Sequence, residues 1–152
     1  MKQDICKNDF LDAMHRSIRL RISEASDILD GIQESIDSES HSTAGDKHDT
    51  SRELMQQERN KAAQNLQNQI SMDHLALRLK TIQSINKVGF GSLVLTSIGW
   101  FFVGLPLGKI SFNECDVLCI SGNAPVAKLL SDAAVGDLIQ MNEQSIHIIS
   151  VK

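Results

Sequence analysis

Tyrosine is absent from this 152-residue sequence, and aromatic residues make up 4% of it. A large aromatic-rich core is thereby excluded. Proline is nearly as scarce, with Pro106 and Pro125 its two occurrences. Before residue 86 there is no proline, and glycine is confined to Gly31 and Gly45. The two residues costliest inside a helix are therefore almost missing from the first part of the chain. An excess of basic residues is missing too: 15 Lys and Arg stand against 19 Asp and Glu, a formal net charge of −4. That argues against a general nucleic-acid binder, which carries a basic face and a high pI. A protein that docks on another protein already holding nucleic acid stays open.

Cysteine is limited to Cys6, Cys115 and Cys119. An odd number with no signal peptide fits a reducing cytoplasm better than a disulfide scaffold. The four-residue step from Cys115 to Cys119 is not a metal-knuckle spacing, and the five histidines are scattered, so no zinc site is expected. Charged side chains are missing from Val88 to Gly108, a run long enough for the roughly 20 residues of a membrane span. Gly89, Gly91, Gly99, Gly104, Gly108 and Pro106 punctuate it, however, so it reads as buried strands and not as one membrane helix.

What is present divides near Asn86. In the first part, Leu11, Ile18, Ala25 and Ile32 recur every seven residues, with Met14 and Ile28 at the intermediate position and Ile22 and Ile36 beside the stripe. The pattern predicts a helix over 8–37, with Arg21 on the stripe packing its stem while its head reaches water. Residues 38–45 are polar and small. Helicity resumes near Asp49, where Thr50 and Glu53 have capping-box spacing and Asp46 to Asp49 offer a cap one turn earlier. Met55, Ala62, Ala63, Leu66, Ile70 and Leu77 form a weaker stripe on a second helix running to about Ile85. Two helices with one narrow stripe each and a short polar link predict an antiparallel coiled-coil hairpin over 1–86, with its tip near 38–50, projecting as a rod. Lys2, Lys7, Arg16, Arg19 and Arg21 lie near its open end, while Glu24, Asp27, Asp30, Glu34, Asp37, Glu39, Asp46, Asp49 and Glu53 crowd toward the turn. A monomer is favoured.

The second part, 87–152, is rich in glycine and β-branched residues. Strands are expected at 91–96, 100–105, 117–121 and 145–151, with a short helix opening at Pro125 and a turn at Gly136-Asp137 before Leu138 to Met141. The fold class is thus α+β: the helical hairpin, then a small antiparallel sheet with one short helix on a face. Trp100, Phe101 and Phe102 are expected in the core of a strand.

Asp46 and Asp49 are the main candidates for chemistry. Three residues apart at a helix start, they can share a face and bind a hard cation through oxygen, or one can hold the ion while the other orients water. Carboxylates at that position also cap free amides and complement the helix dipole, so spacing alone leaves both readings standing. His48 between them is a further proton-transfer candidate. No nucleophile elbow, P-loop or dinucleotide fingerprint occurs.

Gly45-Asp46-Lys47-His48-Asp49 resembles the G-D-x-x-E signature of the Gre transcript-cleavage factors of bacterial RNA polymerase, with Asp49 in place of the Glu. The stretch from Ile120 to Leu130 is similar to the family's I-S-x-x-S-P-I-x-x-x-L run, and Gly136-Asp137 and Ile146 to Ile149 follow at matching spacing. The resemblance spans the whole chain as an architecture. It implies an FKBP-like second domain that docks at the rim of the polymerase secondary channel, with the hairpin inside the channel. It further implies that Asp46 contacts a Mg²⁺ ion shared with the polymerase and that Asp49 orients the attacking water. Contact with nascent RNA would be indirect, and the chain would be an activator of the polymerase's own cleavage activity, not an enzyme. Thr50-Ser51-Arg52-Glu53 departs from the family's Asn-Ala-Glu-Tyr run. That departure, with the shorter Asp49, leaves a second function in view: a channel-binding regulator that does not stimulate cleavage. A prolyl isomerase and a self-associating coiled-coil scaffold are the readings from other classes.

Overall fold

The structure is a computed structural model that describes residues 3–40, 47–83 and 86–152, with side chains for all of these except 40 and 47–49. Two long helices come first, α1 (Lys7–Ser40) and α2 (Lys47–Leu79). Six strands follow: β1 (Leu93–Thr96), β2 (Gly99–Gly104), β3 (Gly108–Phe112), β4 (Cys115–Ser121), β5 (Leu138–Met141) and β6 (Gln144–Val151), with α3 (Pro125–Leu130) between β4 and β5. The fold is α+β, as the sequence pattern predicts. By packing, the chain divides into one unit of Met1–Met14 with Ala76–Lys152 and another of His15–Leu75. No helix among the described residues is long and apolar enough to cross a membrane.

In the first unit the strands form one sheet in the order β3-β4-β2-β1-β6-β5. Four of its pairings are antiparallel, but β2 and β4 pair in parallel, from Trp100 beside Val117 to Gly104 beside Ser121. The sheet is therefore mixed, not wholly antiparallel. The reason lies in β3: after Pro106 and the left-handed Gly108 (φ +71°) the chain skips one strand position, and β4 returns into the gap. β3 was not anticipated from the sequence. It is an edge strand with Ile110 as its one buried side chain, so it shows little apolar signal.

Alternation along β2 sends Phe101 and Phe102 to opposite faces. Phe101 joins Val94, Val103 and Ile148 beneath Ala127 and Leu130 of α3, the helix that Pro125 opens. Phe102 meets Phe10 of α1 at 5.6 Å between ring centroids, and Phe112 meets the same ring edge-on at 5.9 Å. The opening turn of α1 thus covers the second face of the sheet. Asp12 and Lys80 form an ion pair, and Lys152 ties the chain start to the last strand through Asp4 and the carbonyl of Ile5. Trp100, Phe101 and Phe102 are all buried, as expected.

α2 stops at Leu79, about six residues before the anticipated end at Ile85. Leu79 is fully buried, the Thr81 hydroxyl bonds the carbonyl of Arg78, and the amides of Thr81 and Ile82 close tight turns onto Arg78 and Leu79. Those bonds satisfy helix-end carbonyls that would otherwise lack partners.

Two hairpins, β3–β4 and β5–β6, turn on the same dipeptide. Asn113-Glu114 (φ 48° and 60°) and Asn142-Glu143 (φ 48° and 67°) place both central residues in the left-handed region, the geometry of a type I′ turn. Asparagine suits that region, whereas glutamate at the second position is strained. Glu114→Gly and Glu143→Gly should each stabilise the protein by up to about 1 kcal/mol, read as a higher urea midpoint. Phe10→Ala should cost about 3–5 kcal/mol in the same measurement, because it empties a fully buried aromatic contact.

Candidate functional site at the helix turn

In the second unit α1 and α2 run antiparallel. His15 of α1 meets Asp73 of α2, and Gln33 of α1 meets Arg59. The end of α1 at Ser40 and the start of α2 at Lys47 therefore lie at the same end of the helix pair. The apolar seam is thin: Ile18, Ala25 and Ile36 are the buried apolar side chains of α1 there, with Ile22 and Ile32 half-buried. On α2, Met55, Ala62, Ala63, Leu66 and Ile70 are half-buried. Arg21 is half-buried, as its place on the stripe predicts.

Two expected seam residues lie outside. Ile28 is 59% exposed and Leu77 45%. A seven-residue spacing on a helix of 3.6 residues per turn drifts about 20° per heptad. From Met14 through Arg21 to Ile28 the drift carries the side chain off the seam, and Leu29 is half-buried beside it. On α2 the buried positions at that end are Asp73, Ala76 and Leu79, which leave Leu77 outside.

Polar contacts hold what the seam does not. Asp73 is 8% exposed, and its carboxylate lies 2.7 Å from His15 Nε2 and 3.6 Å from Arg19 Nε. Nearer the turn, Arg59 Nε donates to Gln33 Oε1 at 2.6 Å, and Gln33 Nε2 donates to Asp37 Oδ1 at 3.0 Å. Sequence reading missed the His15–Asp73–Arg19 cluster, because its partners are far apart in the chain and an aspartate on an apolar stripe carries no helical signature.

Of the candidate site residues, Asp46 lies outside the described residues. Asp49 and His48 fall in the first turn of α2, but their side chains are not described. Asp30, Glu34 and Asp37 of α1 and Glu53 of α2 are exposed on the turns flanking the connection, with Arg52 beside them. One to two turns beyond Asp49, a surface hollow is lined by Arg52, Glu53, Gln56 and Gln57, a polar wall suited to charged or hydrogen-bonding contacts. Among the described residues no group of three or more His, Cys, Asp or Glu side chains is placed to hold a metal ion.

The sheet unit has a small hollow of about 160 Å³ bordered by Val88, Phe90, Val103, Ala127, Lys128 and Ser131. Phe90 is its one aromatic side chain among the described residues, since Trp100, Phe101 and Phe102 are spent on the core.

Compared with known proteins, the chain matches no family model and no curated protein.

Asp73→Ala should destabilise the helix pair by about 1–3 kcal/mol, since it strips the buried partner from His15 and Arg19. Loss of helical signal at a lower temperature would be the readout, and a change under about 0.5 kcal/mol would contradict the proposed clamp.

Proposed function

We propose that the chain is a Gre-like transcription factor that inserts its helix pair into the secondary channel of bacterial RNA polymerase and stimulates cleavage of backtracked RNA. The observation that carries this reading is the antiparallel pairing of α1 and α2, helices of 34 and 33 residues, with Asp49 in the first turn of the second. Helices of that length extend about 50 Å, which suits reach into a narrow channel. The acid-rich flanks suit a site where cations gather.

Asp46 and Asp49 provide hard carboxylate oxygens of the kind Mg²⁺ prefers, but fewer than its octahedral shell requires. The residues therefore fit a share in an ion that the polymerase also holds, and not a site of their own. In that setting Asp46 would ligate the ion and the Asp49 carboxylate would accept a hydrogen bond from the attacking water. The bound ion would supply charge stabilisation at the reacting phosphate. The polymerase keeps the catalytic centre, so the chain acts as an activator, in a bacterial cytoplasm, with only indirect contact to nascent RNA.

The shorter side chain at Asp49 favours a second reading, a channel-binding regulator that does not promote cleavage. Aspartate falls one methylene, about 1.5 Å, short of glutamate, and a misplacement of about 1 Å costs on the order of 10²-fold in rate. The deciding measurement is RNA cleavage in stalled complexes of the cognate polymerase. Under the first reading wild type accelerates cleavage, Asp46→Ala abolishes the gain with helical content unchanged, and Asp49→Glu enlarges it. Binding and altered pausing with no cleavage gain would select the second reading, and failure to bind polymerase would reject both.

A further inference from the structure

The hollow on the sheet unit has walls that are fixed before anything enters it. Val88, Val103 and Ala127 supply its apolar lining, and all three are buried. Two backbone bonds tie Val88 to the loop after α3: the Val88 amide donates to the Ala133 carbonyl at 2.8 Å, and the Asp132 amide donates to the Val88 carbonyl at 2.9 Å. The Ser92 hydroxyl accepts from the Gly89 amide, and the Gly91 amide donates to the Val103 carbonyl. Phe90, between those two anchors, stays 46% exposed. Its ring rests against two glycines, since a β-carbon added at Gly104 would meet it at 3.5 Å and one at Gly122 at 3.9 Å. Lys128 and Ser131 complete the border, both exposed and neither with a side-chain partner among the described residues.

We propose that this hollow binds one benzene-sized apolar group that carries a carboxylate. Size decides the first half of that description. The hollow measures about 160 Å³, and an apolar cavity of about 150 Å³ is one that benzene enters. Drug-sized ligands need about 300 Å³ or more. A ring placed there would leave water for Val88, Val103 and Ala127 and lie beside the ring of Phe90, a pairing that aromatic groups favour. Charge decides the second half. Lys128 is a cation without an ion pair among the described residues, and Ser131 adds a hydroxyl donor, so the border offers charge-assisted hydrogen bonds to an anion. Asp132, next in the chain, does not border the hollow. One ammonium and one hydroxyl match the single charge of a carboxylate, whereas a phosphate dianion needs more donors. A free aromatic acid and the C-terminal residue of a peptide ending in Phe offer the same chemistry. The inference rests on the sheet unit alone and is independent of the polymerase reading.

Titration of the full chain with benzoate, followed by chemical-shift changes in nuclear magnetic resonance spectra, tests it. Benzoate should bind with a Kd of about 0.1–10 mM and move the signals of Val88, Phe90, Ala127 and Lys128. Benzamide has the same shape without the charge and should bind about threefold more weakly or worse. Lys128→Gln should weaken benzoate by about threefold or more and leave benzamide unchanged, whereas Phe90→Ala should weaken both. Circular dichroism of each variant keeps loss of folding apart from loss of binding. A peptide ending in Phe that binds at least as tightly as benzoate, and is released when its C-terminus is amidated, supports the proposal with a peptide terminus as the source. Weaker binding of that peptide than of benzoate supports it with a free acid as the source. Absence of shifts at about 50 mM benzoate overturns the proposal, as do shifts confined to other residues. Benzamide or inorganic phosphate binding as tightly as benzoate, or a Lys128→Gln chain that binds benzoate unchanged, likewise overturns it.

Discussion

With Ile18, Ala25 and Ile36 as the buried apolar side chains of α1 in the second unit, the register of the helix pair rests on the polar contacts that cross it. A seam with so few buried apolar side chains gains little from burial, so it separates neighbouring alignments only weakly. Asp73 held between His15 and Arg19, and Gln33 held between Arg59 and Asp37, are more specific. Polar groups in a narrow interface contribute little net stability, but they penalise every alignment that leaves them unpaired. Which residues of α1 and α2 face each other in this unit is thus marked by these contacts as well as by hydrophobic packing.

The other unit obeys the opposite rule. Its sheet is covered on both faces by large apolar groups, α3 on one and Phe10 on the other. Phe10 is a side chain of α1, yet its partners Phe102 and Phe112 are strand residues near the other end of the sequence. The first turns of the long helix thus complete the core of the sheet. Deleting them would take the Phe10 ring away from Phe102 and Phe112. The ties from Lys152 to Asp4 and Ile5 reinforce the same junction from the last strand.

Much of this was legible in the sequence, and the misses have physical causes. Seven-residue spacing revealed α1, and Pro125 marked the start of α3, because both are local signals. Ile28 was misplaced because a strict heptad count ignores the drift of a straight helix. β3 was passed over because an edge strand with one buried residue looks like a loop. The parallel β2–β4 pairing was invisible because a skipped strand position is a property of the sheet and not of any segment. Phe10 sits one residue off the apolar stripe and its purpose lies in strands about a hundred residues away. The candidate carboxylates were found by motif alone, and the flanking turns of α1 and α2 supply the acidic setting but not the geometry of Asp46 and Asp49 themselves.

Trp100 is the one tryptophan in the chain, tyrosine is absent, and the indole lies buried with the Lys152 ammonium 5.8 Å from its ring centre. Its emission consequently reports on the sheet unit. Far-ultraviolet circular dichroism is the reverse, since α1 and α2 hold nearly all of the helix. The molecule therefore carries two natural spectroscopic channels, one for each compact unit. If both report the same transition the chain melts as one cooperative body, and if they separate, the thin seam of the helix pair opens on its own.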